Sequence, residues 1–120
     1  MRPLAFVDLE TTGATATIDR VTEIGIVEVD ADGTVLAWQQ LVNPGVRIPP
    51  CLAQLTGISN TMVADAPPFE AVAAEALRRM EGRLFIAHNA RFDYGFLKNE
   101  FKRLGITFRP LVMCTVKLSR

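Results

Sequence analysis

The sequence predicts a single α/β domain in which a mixed sheet is flanked by helices. Three observations support this prediction. β-Branched and aliphatic runs have the length of strands, two apolar patterns have the spacing of amphipathic helices, and 120 residues suit one hydrophobic core. No internal repeat and no low-complexity stretch interrupts the chain. We therefore treat residues 1–120 as one domain.

Three strands are predicted in the first third of the chain. Residues 4–10 carry apolar side chains at both odd and even positions, which favours a central strand of the sheet. Residues 21–29 and 35–42 are two further apolar runs. The Asp32-Gly33 pair between them favours the positive φ of a tight turn, so these runs are expected to form an antiparallel hairpin.

Helical signals begin after the Pro/Gly-rich connection at residues 43–50. Residues 51–58 allow one or two helical turns before Gly57 interrupts them. From Pro67 the apolar residues recur at intervals of three and four, which predicts an amphipathic helix that ends before Gly82.

The remaining elements alternate in type. Residues 83–87 read as a short strand, and Asn89 stands where the N-cap of a second helix is expected. That helix would place Leu97, Phe101 and Leu104 on one face, and a last short strand is expected near the end of residues 105–116. The order is strand, hairpin, helix, strand, helix, strand.

Composition and charge exclude several classes of protein. With 49% hydrophobic and 22% charged residues, the chain is typical of a globular domain, and its short N-terminal apolar run, PLAFV, cannot span a bilayer. We expect a cytoplasmic protein with no membrane partner. The two cysteines, Cys51 and Cys114, have no metal-binding spacing and are expected to be reduced, packed thiols.

The formal net charge is zero, but charge is distributed unevenly. Residues 1–82 contain five Lys/Arg and eleven Asp/Glu, whereas residues 83–120 contain eight Lys/Arg and two Asp/Glu. One interpretation is an acidic pocket beside a basic rim. The other is that Lys98, Lys102 and Arg103 form the solvated face of one helix.

Three acids occur where apolar residues are expected. Asp8 and Glu10 are two residues apart on the first strand, so their side chains leave the same face. Asp93 lies four residues before Leu97 and eight before Phe101, on the inner face of its helix. Carboxylates from separate elements suit hard divalent cations such as Mg²⁺ or Mn²⁺, which serve phosphate chemistry.

Each acid also has a purely structural interpretation. Asp8 or Glu10 pairs with an arginine or caps a neighbouring backbone in that case, and Asp93 merely favours its helix N-terminus. Glu23, in the second strand, is expected to point to solvent or pair locally without a catalytic role.

Two motifs resemble a known family. FVDLETTG at residues 6–13 and AHNARFDYGFL at residues 87–97 are similar to the first two motifs of the DEDD (DEDDh-type) 3′-to-5′ exonucleases, above all the proofreading epsilon subunits of bacterial DNA polymerase III. The intervening segments RVTEIGIVEVD, LVNPGVRIPP, LTGISNTMV and APPFEAV resemble that family in order and spacing. The resemblance implies a ribonuclease-H-like fold.

The resemblance also implies roles for individual residues. Asp8, Glu10 and Asp93 would be the catalytic ligands of two divalent cations, with Glu10 also near the attacking water. The residues implied to contact the terminal nucleotide are Leu9, Thr11, Thr12, Leu55, Ile58, Asn89 and Phe92. Core packing is the alternative for Leu55, Ile58 and Phe92.

One part of the family pattern is missing. In the family the general base and the fourth metal-binding Asp belong to a later H-x-x-x-x-D motif, whereas residues 94–120 contain neither His nor Asp. His88 is the single histidine, and the resemblance assigns it to the strand-to-helix junction rather than to the base. We therefore expect a domain truncated at its C-terminus, inactive or nearly so on its own.

The implied activity is metal-dependent hydrolysis at the 3′ end of single-stranded DNA, with release of 5′-mononucleotides, in proofreading or repair. A DNA polymerase subunit or a fused domain is the implied partner. The alternatives are a non-catalytic nucleic-acid-binding or polymerase-adaptor module of the same fold, and a member of the superfamily that acts on RNA.

Overall fold

The computed structural model describes residues 2–114, with side chains to residue 111. Its strands and helices are β1 (Leu4–Thr11), β2 (Val21–Val29), β3 (Val35–Leu41), α1 (Pro50–Thr56), α2 (Asn60–Ala64), α3 (Phe69–Met80), β4 (Leu84–Ala87), α4 (Ala90–Arg103) and β5 (Leu111–Cys114). The sheet order is β3-β2-β1-β4-β5. Pairs β1–β2 and β2–β3 are antiparallel, and pairs β1–β4 and β4–β5 are parallel. The predicted mixed α/β sheet is confirmed.

Strand β1 is central, as its sequence predicts, because β2 and β4 pair with it on either side. Its odd-numbered residues Ala5, Val7 and Leu9 enter the main hydrophobic core, where side chains of α3 and α4 meet the sheet. Burial of these apolar groups is the main force that holds the two helices on this face.

The opposite face of the sheet is open within the residues that the structure describes. The even-numbered Phe6 is 42% exposed. Together with Val27, Ala37 and Ile86 it lines an open cavity of about 710 Å³. Within residues 2–114, no helical residue lines this cavity, since both long helices lie on the other side. Apolar residues on both faces of β1 thus correctly predicted its central position but not a cover for both faces.

The hairpin and the long helices follow their sequence signals. Gly33 adopts a φ of 90° in the β2–β3 turn, and the amide of Thr34 donates to Asp32 Oδ1 at 2.9 Å. Asn89 occupies the N-cap position of α4, although its side chain makes no capping hydrogen bond. Leu104, predicted on the inner face, is 37% exposed, because α4 ends at Arg103 and the chain turns there.

A smaller apolar cluster lies beside the end of β3. Ile48, Ile58 and Val63 form it, and they come from the connection, from the turn after α1 and from α2. Helix α1 confirms the helical turns predicted before Gly57. Helix α2 was not predicted; it starts at an N-cap, Ser59, whose hydroxyl accepts from the amide of Met62.

The cysteines and the charged face give mixed outcomes. Cys51 is exposed, because it lies on the solvent side of short helix α1, so the expectation of a packed thiol is wrong for this residue. The side chain of Cys114 lies outside the described part of the structure.

Lys98, Lys102 and Arg103 are exposed on α4, as the solvated-face interpretation predicts. In residues 2–114, no helix has the length and apolar character needed to cross a membrane.

Candidate active site

Two of the three candidate acids lie near the end of β1 on its open face. Asp8 is exposed, lines the open cavity and faces Gly25 across the β1–β2 ladder. Glu10 is half-buried and pairs in register with Glu23. Desolvation by burial, followed by the charges of Asp8 and Glu23, raises the pKa of the Glu10 carboxyl above its usual value. Like charges are therefore concentrated here.

Asp93 brings a third carboxylate from α4. It is 6% exposed and shares the inner face of the helix with Leu97 and Phe101, as its spacing predicts. Burial, followed by the charges of Asp8 and Glu10, raises the pKa of Asp93 to about 7. The two motifs, eighty residues apart in sequence, thus interact electrostatically in the folded chain.

These acids fit divalent cations by charge and donor type. Carboxylate oxygens are the ligands that Mg²⁺ and Mn²⁺ prefer, and a cation would offset both the burial and the repulsion that raise the pKa values of Glu10 and Asp93. In the described residues, Asp93 has no hydrogen-bonding or ion-pairing partner for its carboxylate. Within the same residues, no three potential ligands already converge on one ion. Ion binding would therefore require the side chains to adjust.

The turn after β1 is held by its own hydrogen bonds. A β-bulge shifts the register between Glu10 and Thr11, and the Thr11 hydroxyl donates to the Gly13 carbonyl at 2.6 Å. The Thr12 hydroxyl accepts from the Arg20 amide at 3.0 Å and donates to Asp19 Oδ1 at 3.1 Å. Both threonines are buried, and their hydroxyl groups serve the turn in this structure.

The other implied nucleotide contacts fall into two groups. Leu9 and Ile58 are 6% and 4% exposed, Leu9 in the main core and Ile58 in the smaller cluster. Leu55, on α1, is 81% exposed. Core packing therefore accounts for the side chains of Leu9 and Ile58, whereas Leu55 is available to a ligand.

Asn89 and Phe92 lie together beside the turn that follows β1. They line a cavity of about 340 Å³ with Ala14, Ala16 and Phe96. The ring of Phe92 lies 4.7 Å from that of Phe96, centroid to centroid. This cavity lies between the start of α4, which carries Asp93, and the connection that follows β1.

Two further residues lie near the acids. His88 lines the open cavity that also contains Asp8. Glu23 accepts a hydrogen bond from Gln39 Nε2 at 3.0 Å, which agrees with the predicted local pairing. Its charge nevertheless contributes to the raised pKa of Glu10. No sequence pattern predicted this contribution. It depends on the register of β1 and β2, which places residues 10 and 23 opposite each other.

The sequence is similar to those of several known proteins. The family model described as Exonuclease (RNase_T) matches residues 5–120. The PolC-type DNA polymerase III of Caldanaerobacter subterraneus subsp. tengcongensis is 40% identical over 113 residues, which are 94% of this chain and 8% of that protein. The 3′-5′ exonuclease DinG of Bacillus subtilis is 40% identical over 116 residues, 95% of this chain and 12% of DinG. The chain thus spans a small part of these relatives.

Solved structures of exonucleases have a similar fold. Exonuclease X, in complex with 5′ overhanging duplex DNA, superposes with a TM-score of 0.76 at 30% identity, over 98% of this chain and 62% of that one. Exonuclease I superposes with a TM-score of 0.87 at 18% identity over 99% of this chain and 29% of that one, which shows the shared fold. The family match over nearly the whole sequence, together with this ribonuclease-H-like fold, shows that the chain belongs to the exonuclease family.

Proposed function

We propose that this chain is the metal-binding part of a 3′-to-5′ exonuclease that hydrolyses phosphodiester bonds at the 3′ end of single-stranded DNA. The observation that carries the proposal is the group of Asp8, Glu10 and Asp93, whose mutual repulsion is not offset by a cation in the described residues. The products would be 5′-mononucleotides. A cytoplasmic location is part of the proposal.

Asp8, Glu10 and Asp93 would hold two divalent cations, Mg²⁺ or Mn²⁺. When bound, such cations stabilise charge on the phosphate and lower the pKa of a water molecule. Asp93 must lose its proton to act as a ligand, so its raised pKa predicts that a proton is released on binding near neutral pH. Glu10 is the acid that we place nearest the attacking water.

The remaining assigned residues would position the terminal nucleotide. Asn89 and Phe92 border a cavity beside the acid-bearing elements, and Leu55 is exposed, so these three offer side-chain contacts. We assign Leu9 and Ile58 a supporting role, since their side chains are buried. Thr11 and Thr12 would shape the end of β1 or contact the nucleotide through groups that the turn leaves available.

The biological setting that we propose is proofreading or repair. A domain of this size occurs within a PolC-type DNA polymerase III, of which the chain matches 8%, so a polymerase subunit or a fused domain is the proposed partner. A second candidate is a non-catalytic nucleic-acid-binding or adaptor module, which is favoured because no three potential metal ligands converge within residues 2–114. An RNA-directed exonuclease is the third.

A cleavage assay separates these functions. The chain, with whatever its gene encodes beyond Arg120, is mixed with Mg²⁺ or Mn²⁺ and a 3′-labelled single strand of DNA or RNA. We expect labelled 5′-mononucleotide from DNA, and none after Asp8→Ala or Glu10→Ala. Glu70→Gln, which changes an exposed acid of α3, is the matched control. Cleavage that survives both alanine substitutions would exclude the metal site, and retention of the strand without cleavage would support the adaptor.

A further inference from the structure

Glu100 is a buried carboxylate that the proposed chemistry does not use. It is 1% exposed and lies on α4 seven residues after Asp93. Seven residues are close to two turns of an α-helix, so Glu100 and Asp93 lie on the same inner face, about 10 Å apart along the axis. The groups that bind Glu100 therefore also limit how far α4 can slide or rotate, and hence where Asp93 lies.

Glu100 is held by groups from the start of β2. Arg20 Nε lies 3.0 Å and Nη2 2.8 Å from Oε1, so the guanidinium makes two bonds to one carboxylate. The amide of Val21 donates to Oε2 at 2.9 Å. Arg103, one helical turn further along α4, lies 3.3 Å from Oε1. A planar guanidinium and a backbone amide together fix the direction of the carboxylate as well as its charge.

Arg20 is tied in turn to the end of β1. The Thr12 amide donates to the Arg20 carbonyl at 2.9 Å, and the Arg20 amide donates to the Thr12 hydroxyl at 3.0 Å. Thr12 is two residues beyond Glu10. Glu10 and Thr12 are joined by the chain, Thr12 and Arg20 by two hydrogen bonds, and Arg20 and Glu100 by an ion pair, and α4 then connects Glu100 to Asp93.

We propose that Arg20 and Glu100 are positioning residues that hold α4, and with it Asp93, in place relative to Asp8 and Glu10, so that movement of the side chains alone can bring the three carboxylates onto a divalent cation. This inference rests on the proposed metal-binding function. Mg²⁺ requires nearly ideal octahedral geometry, so a small shift of one ligand weakens binding, and partners outside the ligand set commonly change metal affinity by 10- to 100-fold.

The test measures Mn²⁺ affinity of the full chain, with free Mn²⁺ followed by electron paramagnetic resonance. We expect Glu100→Gln and Arg20→Gln each to weaken binding by about 10- to 100-fold. Arg20→Lys keeps the charge without the two-pronged geometry, so it should recover part of the affinity. The double variant Arg20→Gln/Glu100→Gln should bind no more weakly than the weaker single variant, because both changes break one contact.

The matched control is a second buried ion pair, remote from the acids. Glu28 is 7% exposed, lies near the far end of β2 and contacts Arg79 at 2.6 Å. Glu28→Gln should lower the melting temperature as Glu100→Gln does, yet leave Mn²⁺ affinity unchanged. This difference separates positioning from general loss of stability.

The outcomes distinguish this inference from the proposed function. If the wild-type chain binds no Mn²⁺, or if Asp93→Asn binds it equally well, the proposed metal site is wrong. If the wild type binds and Asp93→Asn does not, but Arg20→Gln and Glu100→Gln bind normally, the positioning inference is overturned. Should Glu100→Gln fail to fold, Arg20→Gln decides alone, since the Arg20 side chain is 29% exposed and Arg103 and the Val21 amide still contact Glu100 in that variant.

Discussion

Two acids on the inner face of α4 have opposite surroundings. Glu100 is buried with Arg20, Arg103 and a backbone amide around its carboxylate. Asp93, two turns earlier and almost as buried, has other acids as its main charged neighbours. Burial of an unpaired carboxylate is strongly unfavourable, so a fold that needs an acid for stability surrounds it with cations. In the function proposed above, a divalent cation would take beside Asp93 the place that Arg20 and Arg103 take beside Glu100.

The largest expected effect is the loss of metal binding and cleavage on substitution of Asp93. Asp93→Asn should reduce Mn²⁺ affinity, and cleavage by the active protein, by more than about 100-fold, beyond what loss of a supporting partner costs. The free energy of unfolding of this variant without metal should not fall, because the change removes a buried charge and its repulsion with Asp8 and Glu10. Titration with Mn²⁺ and urea unfolding in EDTA measure the two quantities. A marked loss of stability would mean that Asp93, like Glu100, serves the fold.

The paired acid should show the reverse. Glu100→Gln is expected to lower the free energy of unfolding by about 2–3 kcal/mol, since it leaves Arg20 without its charged partner and weakens the bond from Val21. Urea unfolding at pH 7 measures this loss. Glu75→Gln, which changes the more exposed ion pairs with Arg78 and Arg79 on α3, should lower the free energy of unfolding far less than Glu100→Gln does. Equal losses of stability for Glu100→Gln and Glu75→Gln would show that burial of an ion pair does not determine its contribution to stability.

The pH dependence of stability sharpens the same contrast. With a pKa of about 7 in the folded chain and 3.8 as the ordinary value, Asp93 holds a proton that unfolding releases. Its contribution is therefore complete below about pH 4 and is lost as the pH rises through 7, by about 1.4 kcal/mol between pH 6 and 8. The difference in stability between wild type and Asp93→Asn in EDTA should follow this curve. A difference that is flat, or that rises with pH, would contradict it.

The smallest expected effect concerns Thr12, which the family resemblance assigns to the substrate. Thr12→Val should lower the free energy of unfolding by about 1 kcal/mol, because the Arg20 amide and Asp19 lose their hydroxyl partner. Thr12→Ser keeps the hydroxyl and should be close to wild type. If Thr12→Val leaves stability unchanged but weakens binding of a single-stranded oligonucleotide, the hydroxyl serves the nucleotide instead.

Sequence patterns indicated Asp8, Glu10 and Asp93 as candidate ligands but did not indicate Glu100. Asp8, Glu10 and Asp93 could be identified because acids at apolar positions break a local pattern, and strand and helix periodicity fix which face each occupies. Glu100 follows the same spacing from Asp93, but its meaning depends on Arg20, eighty positions earlier, and no local pattern links the two. Pairing across the sheet, such as Glu10 with Glu23, was likewise invisible without the register.

The fold was predicted in its order of elements and in the central place of β1. Short apolar segments were harder, because Ser59 and the five residues of α2 gave too little periodicity to predict a helix. No sequence pattern indicated that one face of the sheet is open within residues 2–114. Apolar side chains such as Phe6 indicate that a face can be buried, but not which part of a chain lies on it.

The hydrogen bonds between Thr12 and Arg20 close the base of the β1–β2 connection, and this closure affects how such domains can diverge. Residues 14–18 lie beyond it and are largely exposed, with Ile18 at 74%. Substitutions at the exposed positions of that tip need not move Glu10, because the base keeps its own geometry. Ala16 differs, since it packs on the core beside Gly95 of α4. The exposed tip residues can thus vary beside the cavity of Asn89 and Phe92 while Glu10 keeps its place.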